Sequence, residues 1–269
     1  MDLLHSSARK RAWEGEMANG ETEIPASQAM SPTVRVTPVA PVWHTILFVA
    51  ILLGLAVLQG QPQLAKGAQL PSRITLYLLT VAYEFFLLGY VWLLGLRLRR
   101  VSLGEIIGGK WMRWRDFWRD VGIALLFWIV VGAALVVLSL SLHFSGMEAA
   151  KFLLPQTSLE LTLFLVLVCS AGFCEEVIFR GYLQRQFTAW TGNVPAGIAL
   201  QAVVFGGAHL YQGGKAVVVI SVYGAMFGIL AAMRKSLRPG IMQHSAQDAM
   251  SGIAGLFLRK YKYLQIIKF

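Results

Sequence analysis

The stretch LVLVCSAGFCEEVIFR, residues 165–180, places two adjacent carboxylates, Glu175 and Glu176, and then Arg180 inside an otherwise apolar run. On a helix Glu176 and Arg180 are four apart and share a face, so an ion pair between them offsets much of one acid's desolvation; Glu175 points roughly 100° away. An isolated charge at membrane depth costs at least ~3 kcal/mol on insertion scales. An acid without a partner in its own helix therefore needs one in another helix or in bound water.

Two candidates follow downstream. His209 stands four residues after Phe205 in FGGAHLYQG, and His244 and Asp248 are four apart in MQHSAQDAM, on one helix face. If the three helices pack together, two imidazoles and two or more carboxyl groups converge on one interior point, which is an inventory for hydrolysis. A carboxylate can act as general base on a water, a neutral imidazole can position that water, and a histidine or protonated acid can donate to a developing oxyanion. Glu175, His209 and His244 also make the two-His, one-Glu set of many catalytic zinc sites, although the chain has no HExxH motif. Zinc is thus the cofactor to test. Each element alone has a plain structural explanation: an interhelical hydrogen bond for a lone membrane histidine, a helix lock for the His244 and Asp248 pair. Two other functions use the same residues, a satisfied polar network in a non-proteolytic binding or immunity protein and a proton-coupled transporter. No repeated hydropathy block of the transporter kind is visible.

The elements that would hold these groups are membrane helices. The chain has 269 residues, of which 56% are hydrophobic and only 14% charged, and its mean hydropathy is +0.59. About 20 apolar residues make one helical span, and such runs recur at about 42–59, 74–96, 121–142, from 158 onward, 194–210, 216–233 and 240–257. The expected fold is an all-α polytopic bundle of about seven spans. Residues 1–41, polar and carrying Pro25, Pro32, Pro38 and Pro41, read as a disordered tail. Residues 42–157 hold the amino-terminal spans, 158–258 the core with the candidate chemistry, and 259–269 a basic tail. Trp111, Trp114 and Trp118 recur among Lys110, Arg113, Arg115 and Arg119, so 104–120 reads as an amphipathic helix in the headgroup region. Glu84, a lone acid in the second span, reads as a carboxyl facing the bundle interior. Gly224 and Gly228, with Gly206, Gly207, Gly252 and Gly255, permit close helix approach.

The net charge of +10 sits at the ends of the apolar runs, where it meets anionic lipid, so membrane lipids are expected partners and nucleic acid is not. Arg9, Lys10, Arg11 and Arg35, the 97–119 loop and the 234–238 turn all read as cytoplasmic, which places the amino terminus inside. With seven spans the terminal Arg259, Lys260, Lys262 and Lys268 would fall outside, and the polar stretch 177–192 is the suspected re-entrant piece. Cys169 and Cys174 suggest neither a disulfide framework nor a metal knuckle.

Taken together, Glu175-Glu176-Val177-Ile178-Phe179-Arg180, Phe205-Gly206-Gly207-Ala208-His209 and His244-Ser245-Ala246-Gln247-Asp248 resemble the EExxxR, FxxxH and HxxxN/D motifs of the CPBP intramembrane proteases. That family includes the CAAX prenyl endopeptidases and bacteriocin-processing or immunity proteins, and the resemblance covers about 158–258. It implies an intramembrane endopeptidase acting on a peptide or lipidated protein substrate, in a bacterial inner membrane. It further implies Glu175 as the base activating water with His209, Glu176 as a supporting group on Arg180, and His244 with Asp248 as oxyanion stabilisers or parts of a metal site. The prenyl endopeptidases typically show Asn where Asp248 stands, and an ionised Asp accepts but cannot donate.

Overall fold

The computed structural model describes residues 37–59, 71–144 and 152–266, with side chains through Phe257. The described residues of the expected amino-terminal tail begin only at 37, so that expectation lies almost wholly outside them. The helices are α1 (Val42–Gln59), α2 (Arg73–Tyr90), α3 (Leu103–Ile107), α4 (Trp114–Leu142), α5 (Ser158–Glu175), α6 (Gln184–Thr191), α7 (Val194–Ala208), α8 (Gly214–Arg234) and α9 (Arg238–Ile266). All belong to one compact unit beginning at Val36, and the described residues contain no strand.

Local chemistry sets the boundaries. Ser72, Thr157 and Asn193 cap α2, α5 and α7 by accepting hydrogen bonds from the Thr75, Glu160 and Ala196 amides. Two helices do not stop where their α-helical hydrogen bonding stops. α2 continues through a π-helical turn at Val91–Leu96, and α5 continues through a π-helical segment at Glu176–Leu183 directly into α6. The second of these makes one helical rod of Ser158–Thr191, 34 residues long. The suspected re-entrant stretch 177–192 is therefore mostly a continuation of α5, too polar for lipid and accordingly buried from Glu176 through Gln184.

Among the described residues five helical segments are long and apolar enough to cross a bilayer: Val42–Gln59, Arg73–Arg99, Trp114–Leu142, Ser158–Thr191 and Gly214–Arg234. The other two expected spans are present as α7, apolar but only 15 residues and so about 22 Å long, and as α9, whose polar residues, among them the buried Gln243 and His244, lower its hydropathy. α9 also runs without a break past the expected end of the last span, so most of the basic tail is helical.

The single amphipathic helix expected over 104–120 is broken. α3 ends at Gly108, which adopts φ +98° and is followed by Gly109 at φ +77°, and helix resumes only at Trp114. Two consecutive residues in the left-handed region cannot continue a right-handed helix. Trp114 and Trp118 instead open α4, whose buried residues are only Asp120, Ala124 and Val131, the pattern of a helix facing lipid along most of its surface.

The core gathers around the π-helical segment. Phe48, Val91, Leu96, Ile106, Cys174, Val177, Ile178, Tyr182, Leu183 and Phe205 form one buried cluster. A polar network pins it to α1. Nε2 of His44 donates to the Tyr90 carbonyl at 3.4 Å, so Nδ1 accepts from the Tyr182 hydroxyl at 2.8 Å, whose oxygen accepts from Thr45 at 2.7 Å. Gln186 completes the attachment by accepting from the Val39 and Ala40 amides and donating to the Ala40 carbonyl.

Candidate active site

Glu175 is the last residue of α5 and Glu176 the first of the π-helical segment. The predicted pair forms: Arg180 Nη1 lies 3.1 Å from Glu176 Oε1, with both side chains almost completely buried. Positions i and i+4 stay on one face through this segment, as they do in an α-helix, which keeps the two side chains within reach of each other. Arg180 also donates from Nη2 to the Gly224 carbonyl at 3.3 Å, and its guanidinium lies 4.3 Å from the Phe205 ring centroid and 5.1 Å from that of Phe227. Stacking between aromatic faces suits guanidinium, which is weakly hydrated and planar.

His244, on α9, reaches both glutamates. Its Nδ1 donates to Glu176 Oε1 at 3.2 Å, a direction fixed because an ionised carboxylate only accepts. Its Nε2 faces Glu175 Oε2 at 3.6 Å and Asp248 Oδ2 at 3.8 Å. These two separations exceed direct hydrogen bonding. The three acids differ in access: 1% of the Glu176 side chain is exposed, against 14% for Glu175 and 41% for Asp248.

His209 caps the carboxy-terminal end of α7, and its Nδ1 donates to the Phe205 carbonyl at 2.8 Å. That bond fixes the tautomer and leaves Nε2 as a free acceptor. Phe205 stands between the two histidines, its ring centroid 4.9 Å from His209 and 6.4 Å from His244. The structure thus brings Glu175, Glu176 and Asp248 within 4 Å of His244, joins Arg180 to the group through Glu176, and ties His209 to it through Phe205. Among the described residues no three His, Cys, Asp or Glu side chains are grouped to hold a metal ion.

Sequence reasoning missed several supporting residues. Tyr223 and Phe227 of α8 turn edges toward the His244 ring, with centroids at 5.7 and 5.4 Å. Gly240 lets α9 approach the acid, since a Cβ there would stand 3.1 Å from Glu176 Oε2. At Gly172 a Cβ would collide with the Ser245 hydroxyl and lie 2.9 Å from its backbone nitrogen, so this glycine sets the contact of α5 with α9. The anticipated GxxxG pair works in the same way: Gly224 faces Phe205, and Gly228 faces the amide ends of Gln184 and Gln201. Glu84 is buried as expected.

Residues 157–250 match the family described as Rce1-like, type II CAAX prenyl endopeptidase. The Rce1-like segment opens at Thr157, the cap of α5, and ends within α9, so it contains every residue of the cluster and leaves α1–α4 outside. It agrees with the resemblance to CPBP intramembrane proteases. The apolar helices make the chain an integral membrane protein. No curated protein and no solved structure gives a significant match to the chain.

Proposed function

We propose that the protein hydrolyses a peptide bond of a membrane-embedded or lipidated substrate, with Glu175 as general base. The observation that carries this reading is the unequal environment of the two adjacent acids. Glu176 is sealed against Arg180 and the Nδ1 of His244, whereas Glu175 is partly open and its Oε2 lies 3.6 Å from Nε2, beyond a direct hydrogen bond. A polar network serving only to join helices has no use for an open acid beside a free ring nitrogen.

In the proposed reaction a water held by Glu175 and the free Nε2 of His209 gives its proton to the Glu175 carboxylate as its oxygen bonds to the scissile carbonyl carbon. The carbonyl oxygen becomes an oxyanion. His244 as imidazolium keeps Nδ1–H on Glu176 and turns Nε2–H to that oxygen, and Asp248, when protonated, adds a second donor. Collapse breaks the C–N bond, and the proton on Glu175 passes to the departing amine. The substrate's apolar end stays in lipid while its peptide bond reaches the Glu175 edge.

The test compares the peptide termini of membrane proteins from cells carrying the wild type and Glu175→Gln. The expected result is a set of termini that vanishes with the variant while its inserted, folded amount is unchanged. Identical termini in both would remove the catalytic assignment.

A further inference from the structure

We infer that the corner where α4 begins, α8 ends and α9 begins is a binding site for the phosphate of an anionic phospholipid headgroup. It is separate from the Glu175 cluster and does not depend on the proposed reaction. Its centre is Asp120, 1% exposed, whose Oδ2 accepts from the Trp111 indole at 2.9 Å and lies 3.2 Å from Arg238 Nε. Its Oδ1 is approached only loosely, at 3.7 Å each, by Arg119 and Arg234. One turn earlier Asp116 stands 3.7 Å from Arg113 and 3.5 Å from Arg119.

Four guanidinium groups are thus set against two carboxylates, and exposed Lys110, Arg115 and Lys235 add to the surplus. Hydrogen-bond capacity is in surplus as well: Arg234 Nε and Arg238 Nη1 are buried without an acceptor, and Asp120 Oδ1 receives no aligned donor. A planar fork with unused N–H groups is the recognition element for a phosphate, which offers more acceptor oxygens than the carboxylate already there. Arg234 and Arg119 are the groups free to turn outward, being 31% and 51% exposed.

A phospholipid, rather than a free anion, is indicated by what surrounds the arginines. Met112, Trp114 and Trp118 are 86%, 74% and 63% exposed beside them, and α4 continues from this rim as the lipid-facing helix. Large exposed aromatic groups among basic residues belong at the headgroup level of a bilayer, where rings meet the acyl boundary and cations meet phosphate. Two stretches distant in sequence are fastened together here, the Leu237 amide and Ser236 hydroxyl both donating to the Ile107 carbonyl at 3.0 and 3.1 Å. Arg238 opens the helix that carries Gly240 and His244, so a headgroup held by Arg234 and Arg119 would brace the start of that helix.

The experiment is native mass spectrometry and thermal unfolding of the full chain purified in neutral detergent. Phosphatidylglycerol, phosphatidylcholine and inorganic phosphate are added separately. The expected result is retention of phosphatidylglycerol at least tenfold above phosphatidylcholine and a rise in unfolding temperature with phosphatidylglycerol alone. Arg119→Gln with Arg234→Gln should abolish both effects, while Arg97→Gln, at the end of the π-helical extension of α2, should leave them unchanged. Equal retention of the two lipids would overturn the inference, as would stabilisation by inorganic phosphate equal to that by the lipid, or an unaltered preference in the double variant. The wild-type arms decide the matter if that variant does not fold.

Discussion

Replacing Arg180 by Met would keep an apolar side chain between Phe205 and Phe227 and remove only the charge and its donors. At 3.1 Å and an effective dielectric constant of about 20, the attraction between Arg180 and Glu176 is about 5 kcal/mol before desolvation. Removing one member of a buried pair leaves the other charge uncompensated and costs about 3–5 kcal/mol. Among the described residues His244 is the only other group within ion-pairing distance of Glu176, so Arg180→Met should lose about 3 kcal/mol or more. Neutralising the acid too should return much of that loss, because a buried pair replaced by neutral groups of similar volume is often close to neutral. Glu176→Gln with Arg180→Met is therefore expected to be at least about 2 kcal/mol more stable than Arg180→Met alone. Glu175→Gln, at a partly open side chain, should fall within about 1 kcal/mol of wild type. Equilibrium unfolding in mixed micelles at rising fractions of dodecyl sulfate, followed by tryptophan fluorescence, measures all four proteins. A double variant no more stable than Arg180→Met would refute the reading that Arg180 exists to neutralise Glu176.

The same cluster supports further expectations. Glu175→Gln should lower the cleavage rate on an identified substrate by about 10³-fold, within the usual range for a lost general base, whereas Asp248→Asn, always able to donate, should stay within about tenfold of wild type. Activity should persist after prolonged chelation, with no stoichiometric metal in the purified protein; a strict loss restored by zinc would count against the metal-free reaction. Gly172→Val would drive a side chain into the Ser245 backbone at 2.9 Å and should cost about 1–3 kcal/mol as overpacking, while Gly54→Ala, with nothing within 4 Å, should be silent in the same unfolding assay. Tyr182→Phe removes the hydroxyl shared by His44 and Thr45 and should cost about 1–3 kcal/mol, because two buried polar groups lose their partner.

The membrane class and the site were legible for different reasons. Hydropathy locates α1, α2, α4, α5 and α8 because lipid demands long apolar runs, and the same demand makes Glu175, Glu176, His209 and His244 conspicuous. Helical spacing foretold the Glu176 and Arg180 pair, and it holds although the turn is not α-helical. What spacing could not show is the contact of His244 with both acids, since one imidazole has two nitrogens and helix periodicity says nothing about the rotation of α9 relative to α5. Tyr223, Phe227 and Gly240 were invisible because aromatic residues and glycines are ordinary throughout such a chain. The aromatic and basic spacing of 104–120 misled in one respect: it registered the amphipathic character but not the two positive-φ glycines that divide the segment. The run 240–257, legible as a span, is present as α9, where the buried Gln243 and His244 interrupt the apolar residues.

The wide turn from Glu176 to Leu183 divides the long helix into two lengths with separate phases. A hydrogen-bond ring that closes one residue later carries a spare residue. This lets Ser158–Glu175 and Gln184–Thr191 each take the rotation its own neighbours require, as a vernier offsets two scales. Glu175 and Glu176 sit at the offset itself. A residue inserted or deleted elsewhere in this helix would rotate everything beyond it by roughly 100°, but between Val177 and Leu183 the joint can take up such a change as a change of turn type. The acids therefore stand at the one place along the rod where neighbouring helices, rather than the helix's own repeat, decide which way a side chain faces.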